Sequence, residues 1–247
     1  FESIQKEYDI VKQSEVFEDI VNVFLKNDLT QLNQYSQIWS EEEWRKECND
    51  NSNEFTGVDF VGKIKASNKF AGIYCTVFEQ NHEITKSDLE DFIQSTNNLD
   101  FERLILIDTS TKNLSSECLN LLNSTGKEFV RININELEES LIDWNEYLEQ
   151  GTINVQDKKE LRDYQNLALN DVTEGFSKAD RGKLIMACGT GKTITSLRIS
   201  EKIAGINKKV LYLVPTLSLM SQTIREWLND AKLEINALSV CSDRTIG

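Results

Sequence analysis

The sequence has little of what marks membrane, disulfide-rich or zinc-binding proteins. Its 247 residues include one proline, one histidine and two methionines, and its five cysteines stand singly without a CxxC pair. No stretch approaches the roughly 18 consecutive apolar residues of a membrane span, and no signal peptide opens the chain. We therefore expect a cytoplasmic, globular protein with reduced thiols and no membrane partner.

Positive charge is scarce overall but unevenly distributed. The net charge of −14 argues against a non-specific nucleic-acid binder, because Lys and Arg make most phosphate contacts. Residues 1–150 carry −17, whereas residues 151–247 carry +3. This asymmetry, together with a change of pattern within Asn145–Lys159, predicts two domains that meet at Gln150–Gly151.

The first half alternates between helix and strand patterns. Apolar residues recur at helical spacing in Glu15–Leu25 and in Lys86–Ser95. Two β-branched and aromatic runs, Val58–Ile64 and Ala71–Phe78, predict a hairpin, and Arg103–Ile107 predicts a buried strand. The order is helix, strand, strand, helix, strand, which indicates an α/β domain with a three-stranded sheet.

The second half has a more regular pattern. Strands are predicted at Lys183–Cys188, Lys209–Val214 and Ile235–Cys241, and helices at Lys192–Ala204 and Leu217–Ala231. Because strands that alternate with helices are joined by right-handed crossovers, this order predicts a parallel sheet.

The strongest chemical signal is the run Met186–Thr193, which stands where a predicted strand gives way to a predicted helix. Its glycines let the backbone curl, so that successive N–H groups and the positive helix end face a phosphate. Lys192 is expected to reach the β- and γ-phosphates, and Thr193 to help hold Mg²⁺. The predicted cradle for ATP and Mg²⁺ comprises Gly189, Thr190, Gly191, Lys192 and Thr193. Met186 departs from the general pattern, which has a glycine there.

Two further segments accompany this loop: Leu161–Gln165 before it and Val214–Thr216 after it. Together the three resemble the opening motifs of superfamily 2 helicases. The resemblance implies that Gln165 binds the adenine edge, which an amide can do by pairing one donor with one acceptor. It also implies backbone contacts to nucleic acid from Thr216, and from Ser218 and Gln222 nearby. By residue type alone, Gln165 would be an ordinary surface residue and Thr216 a helix cap.

In that family, an acidic Mg²⁺-binding motif and an arginine finger follow later in the chain. The sequence stops at Gly247, before either. We therefore expect a truncated RecA-like domain that binds ATP weakly and does not hydrolyse it efficiently.

Six segments of the first half form a second pattern: Phe17-Glu18, residues 56–61, Gly72–Phe78, Ile84–Ile93, Leu104–Thr109 and Leu141–Trp144. Residues 15–145 thereby resemble the amino-terminal nuclease domains of Type I and Type ISP restriction enzymes, of the Mrr-like PD-(D/E)xK fold. By this resemblance Asp59 matches the metal-binding aspartate and Glu18 the acid of the first helix.

The second strand departs from the nuclease pattern. The family has Gln or Glu, a spacer and Lys, which place a metal ligand and an ammonium beside the attacked phosphate. Here the aligned residues are Tyr74, Cys75 and Thr76. Three interpretations stand: a decayed nuclease, a different register, or a site completed by Glu79 and Lys86. Asp59 would then be either a remnant of the metal site or a strand-edge aspartate without catalytic use.

The combined pattern predicts the ATP-dependent translocase or helicase portion of a restriction-modification enzyme. It implies double-stranded DNA as substrate, and methyltransferase and specificity subunits or domains as partners. The predicted fold is a restriction-endonuclease-like α/β domain, residues 1–150, followed by a partial RecA-like domain, residues 151–247. Two alternatives remain: a non-catalytic DNA-binding or assembly module, and an RNA helicase.

Overall fold

A computed structural model describes residues 10–48, 57–97 and 99–240. The chain divides into two compact units, Phe1–Val155 and Gln156–Gly247, whereas the sequence placed the boundary at Gln150–Gly151. The first unit runs further because Ile142 forms an antiparallel bridge with Val155. Two residues of the predicted motifs and strands, Thr56 and Cys241, lie outside the described residues.

The first unit is a mixed α/β fold. Its elements are α1 (Ile10–Asn27), α2 (Leu29–Gln34), β1 (Tyr35–Ser40), α3 (Glu41–Glu47), β2 (Phe60–Ile64), β3 (Phe70–Thr76), α4 (Lys86–Thr96), β4 (Phe101–Asp108), α5 (Ser116–Ser124), β5 (Glu128–Asn133), α6 (Ile134–Glu138) and α7 (Trp144–Gln150). All the helices and strands predicted for this half are confirmed within a few residues at their ends.

The sheet has five strands in the order β1-β2-β3-β4-β5, so the prediction of three strands was wrong. β1 and β2, and β2 and β3, pair antiparallel, whereas β3, β4 and β5 pair parallel. The two unpredicted strands, β1 and β5, are the edges of the sheet. Edge strands are only partly buried, so their apolar residues do not form the continuous run that reveals a central strand.

The interior strand β4 separates two apolar cores. Ile105 and Ile107 pack with Phe17 and Val21 of α1 on one face. Leu104 and Leu106 pack with residues of α4 and α5 on the other face, among them Leu89, Phe92, Cys118 and Leu122. Successive strand residues point to opposite faces, and all four are buried. A strand covered on both faces is therefore apolar throughout, which explains the run Leu104–Ile107 in the sequence.

The second unit contains three helices among its described residues: α8 (Asp163–Phe176), α9 (Lys192–Ala204) and α10 (Leu217–Asp230). The predicted helices α9 and α10 are confirmed, and α9 stops at Gly205, whose φ is 71°. Ile194, Leu197 and Ala231 form a small core between α9 and the end of α10. No helix in the described part of the chain is long and apolar enough to cross a membrane.

The strands predicted for the second unit are not observed. Residues 183–188, 209–214 and 235–240 carry no ladder hydrogen bonds in the structure, and the parallel strand pairs all lie in the first unit. Their apolar side chains are exposed instead, including Ile185, Leu211, Leu213, Leu238 and Val240. An apolar run becomes a strand only where a neighbouring strand accepts its backbone hydrogen bonds, and within the described residues no such neighbour is paired with these segments.

Candidate functional site

The predicted phosphate cradle is a tight turn that leads into α9. Gly189 and Gly191 both have φ of 74°, in the left-handed region that glycine adopts without steric cost. The Thr190 hydroxyl donates to the Ala187 carbonyl at 2.7 Å, and the Lys192 ammonium donates to the same carbonyl at 3.0 Å. Lys192 is exposed and lies across the loop at the first residue of the helix. Helix end, curled backbone and ammonium thus share one location.

Gln165 stabilises this loop through a hydrogen bond from its buried side chain, and we call this contact a brace. Its side chain is 4% exposed, its amide NH₂ donates to the Thr190 carbonyl at 3.0 Å, and its amide oxygen accepts from the Arg162 N–H at 2.8 Å. The Tyr164 hydroxyl donates to the same Thr190 carbonyl at 3.2 Å. A Cβ atom at Gly191 would clash with the Gln165 amide. Adenine binding by Gln165 stays a prediction, and bracing is a contact that the sequence did not reveal.

The residues predicted to contact nucleic acid lie at the start of α10. Thr216 is the N-cap: its hydroxyl accepts from the Leu219 N–H at 3.3 Å and lies 3.3 Å from the Ser218 hydroxyl. The Gln222 amide donates to Glu226 at 2.6 Å. The structure thus gives Thr216 the capping role that its residue type allowed. Contact with nucleic acid stays a prediction for all three residues.

In the first unit, Asp59 lies directly before β2 and is a neighbour of Cys75 and Glu18. One carboxylate oxygen accepts from the Cys75 N–H at 2.6 Å. Burial raises the pKa of Asp59, while the hydrogen bonds from Cys75 oppose that shift. Burial also raises the pKa of Glu18, and the Asp59 carboxylate adds to it. Glu18 and Asp59 are therefore electrostatic neighbours.

Tyr74 and Thr76 lie on a different face of β3 from Cys75. The Tyr74 ring stacks on Phe92 of α4 with centroids 5.2 Å apart, whereas Cys75 packs against the core beside α1. Burial raises the pKa of the Tyr74 hydroxyl, and its interaction with the Thr76 side chain opposes that shift. Burial raises the pKa of the Cys75 thiol well above its ordinary value, and Asp59 adds to this. Cys75 is therefore a neutral thiol.

Completion of the nuclease site by Glu79 and Lys86 stays a prediction, but the Asp59 carboxyl has a charged neighbour that the sequence did not indicate. The charged group that raises its pKa further is Glu41, the first residue of α3. Sequence reasoning missed Glu41, because the run Glu41–Glu43 after Ser40 is typical of an ordinary helix start with a capping box. Among the described residues, no group of three or more His, Cys, Asp or Glu side chains is arranged to hold a metal ion.

We expect Asp59→Asn to stabilise the first unit more at about pH 7.5 than at about pH 5. A pKa raised above its ordinary value of 3.8 means that the folded state binds this proton more tightly than the unfolded state. The free energy of unfolding therefore falls as pH rises through the pKa of Asp59 in the folded state. An asparagine carries no charge and still accepts the hydrogen bond from the Cys75 N–H, so it avoids that loss. Urea unfolding followed by tryptophan fluorescence measures it, with Asp171→Asn on exposed α8 as control. An equal gain at both pH values would contradict the burial argument.

The chain thus combines a mixed α/β unit of nuclease-like pattern with a unit that contains the predicted phosphate cradle. The family model described as "Restriction endonuclease" matches residues 26–154, and the model described as "Type III restriction enzyme, res subunit" matches residues 158–241. The first match covers more than half of the chain, which therefore belongs to the restriction endonuclease family. The order of a nuclease-like domain and a helicase-like region is confirmed.

One solved structure supports this family assignment. The DNA-bound Type ISP restriction-modification enzyme LlaBIII is 30% identical over 90% of this chain, with a TM-score of 0.74. A nuclease-deletion mutant of the Type ISP enzyme LlaGI, in complex with a DNA substrate mimic, is 50% identical over 34% of the chain, with a TM-score of 0.33. The chain spans 14% and 8% of the lengths of these two proteins. No curated protein sequence shows significant similarity to it.

Proposed function

We propose that this chain forms the nuclease-like domain and the first ATP-binding segment of an ATP-driven DNA translocase in a Type ISP-like restriction-modification enzyme. The observation that carries the proposal is the turn from Ala187 to Thr193, where two left-handed glycines lead into a helix that starts with an exposed lysine. Phosphate loops bind a nucleoside triphosphate through these features: a glycine-rich turn, a helix N-terminus and a lysine.

The residues present fit Mg-ATP. The N–H groups of the loop and the start of α9 would bind phosphate oxygens, and Lys192 would exchange the Ala187 carbonyl for the β- and γ-phosphates. Thr193 would hold Mg²⁺ through its hydroxyl. The bound metal and nucleotide supply the phosphoryl-transfer chemistry. The bonds from Gln165 and Tyr164 to Thr190 hold the loop in this form, so that little conformational entropy is lost when phosphate binds.

We propose double-stranded DNA as the polymer along which the protein translocates. Residues 151–247 carry a net charge of +3, and Thr216, Ser218 and Gln222 stand at the helix start that would meet a phosphate backbone. The similar enzyme LlaBIII is bound to DNA in its solved structure, which supports DNA over RNA. Methyltransferase and specificity functions would come from other domains or subunits of the same system.

ATPase measurement on the full-length protein tests the proposal. With duplex DNA we expect hydrolysis of about 1 per second or faster, the lower end for enzymes in general, and much slower hydrolysis without DNA. Stimulation by RNA and not by DNA would make the protein an RNA helicase. DNA binding without any ATP hydrolysis would leave the non-catalytic module as the function.

A further inference from the structure

A closed circuit of contacts links α9 and α10 beside the phosphate loop, and it consists of three side chains and one backbone carbonyl. The Trp227 indole N–H of α10 donates to the Thr193 carbonyl at 3.2 Å. The Ser196 hydroxyl donates to the same carbonyl at 2.8 Å and lies 3.4 Å from the Tyr212 hydroxyl. The Tyr212 ring in turn contacts the Trp227 ring, with centroids 4.8 Å apart. The circuit is therefore built on the first turn of α9, which carries the predicted Mg²⁺ residue.

The same circuit flanks the segment with the predicted DNA contacts on both sides. Tyr212 precedes Val214–Thr216, and Trp227 follows it on the helix that Thr216 caps. Trp227 also packs against the core formed by Ile194, Leu197 and Ala231. A movement of Thr216 and the start of α10 would therefore shift the contacts that Trp227 and Tyr212 make with α9. A movement of Thr193 would shift the same two contacts.

We propose that Trp227, supported by Tyr212, is a positioning residue that couples nucleotide binding at Thr193 to DNA binding at the start of α10. The inference rests on the proposed function and adds the route by which its two ligands communicate. Trp227 donates its indole N–H to the Thr193 carbonyl. It acts through the backbone of Thr193, whose peptide orientation sets where the Thr193 hydroxyl lies.

Coupling between two ligands is reciprocal: the factor by which DNA changes nucleotide affinity equals the factor by which nucleotide changes DNA affinity. A general loss of packing would weaken the binding of one ligand equally with and without the other, and would therefore leave that ratio unchanged. The ratio is therefore the readout that separates a positioning role from a purely structural one.

The test uses the full-length protein, a non-hydrolysable ATP analogue with Mg²⁺, and a duplex DNA of mixed sequence. Dissociation constants are measured for each ligand with and without the other. For the unsubstituted protein we expect a coupling ratio in the range of about 5- to 150-fold that is typical of allosteric pairs. Trp227→Phe keeps an aromatic ring but removes the N–H donor. It should lower the ratio roughly 3- to 10-fold, the equivalent of one hydrogen bond, and change nucleotide affinity without DNA much less.

Trp144→Phe is the matched control, since the Trp144 indole also donates to a backbone carbonyl, that of Leu137 at 2.7 Å, but in the first unit. It should leave the coupling ratio unchanged. Tyr212→Phe keeps the ring contact and removes only the hydroxyl bonded to Ser196, so it should lower the ratio in the same direction. This second variant keeps the inference testable if Trp227→Phe does not fold.

The outcomes separate the inference from the proposed function. Failure of the unsubstituted protein to bind nucleotide would overturn the proposed function and the inference with it. Binding of both ligands with a ratio near 1 would overturn the inference alone, and so would a ratio that stays at the unsubstituted value in both Trp227→Phe and Tyr212→Phe. A ratio lowered in these two variants and kept in Trp144→Phe would support it.

Discussion

Replacing Lys192 with alanine should abolish nucleotide binding. Lys192 is the exposed ammonium at the first residue of α9, and its present partner is only the Ala187 carbonyl at 3.0 Å. Triphosphate binding concentrates negative charge at this point, and loss of one member of a desolvated charge pair costs about 2 kcal/mol or more. That corresponds to a dissociation constant raised at least about 30-fold. Calorimetric titration with Mg-ATP or Mg-ADP measures the effect.

Lys202→Ala is the matched control for this prediction. Lys202 lies on the same helix, about 15 Å further along at 1.5 Å per residue, where its ammonium contacts the Asn170 side chain at 3.3 Å. It removes the same charge from the same unit without touching the loop. Equal nucleotide affinity in Lys192→Ala and in the unsubstituted protein would remove the phosphate-loop assignment.

Both ends of helix α9 could be predicted from the sequence. Its start follows from the glycines of the loop and its end from Gly205, and the structure places both ends at the predicted residues. These signals are local, because capping and left-handed turns depend on residues within a few positions of one another. The same holds for α4, which starts after the capping pair Thr85 and Asp88.

Non-local features were predicted less well. Residues 209–214 have the composition of a buried strand, but a strand needs a partner, and the identity of that partner is not encoded in its own residues. The edge strand β5 is the opposite case: it has a partner, since β4 pairs with it along its length, but its residues are only partly buried and do not have the composition of a buried strand. The brace formed by Gln165 and Tyr164 on Thr190 also depends on tertiary contact across 25 positions, and no sequence spacing signals it.

The same limit applies to the nuclease-like site. The alignment of Tyr74 and Thr76 with the family's ligand and lysine came from the order of residues along β3. The stacking of Tyr74 on Phe92 emerges only when β3 packs against α4. The three interpretations of this site, a decayed nuclease, a different register and a site completed by Glu79 and Lys86, stay predictions.

The first unit should show no DNA cleavage with Mg²⁺ or Mn²⁺. A scissile phosphate gains negative charge as water attacks, and cleavage needs a metal ligand and an ammonium to stabilise that charge. The pKa values of Glu18 and Asp59 are raised by burial and, for Glu18, by mutual repulsion with Asp59, yet Thr76 offers no positive charge to balance them. One oxygen of Asp59 is also engaged by the Cys75 N–H.

A plasmid-nicking assay on the full-length protein tests this expectation, beside Mn²⁺ titration of the same sample. Tyr74→Gln with Thr76→Lys restores both missing groups and should raise Mn²⁺ affinity through the new ligand at position 74, whereas Thr76→Lys alone adds a positive charge and should not raise it. The double variant also breaks the stack on Phe92, which costs stability of the order of 1 kcal/mol, so its folding is checked by circular dichroism. Asp59→Ala in the double variant should remove the gained affinity. Cleavage by the unsubstituted protein that disappears in Asp59→Ala would show that the site is active, and that its ligand and ammonium come from residues other than positions 74 and 76.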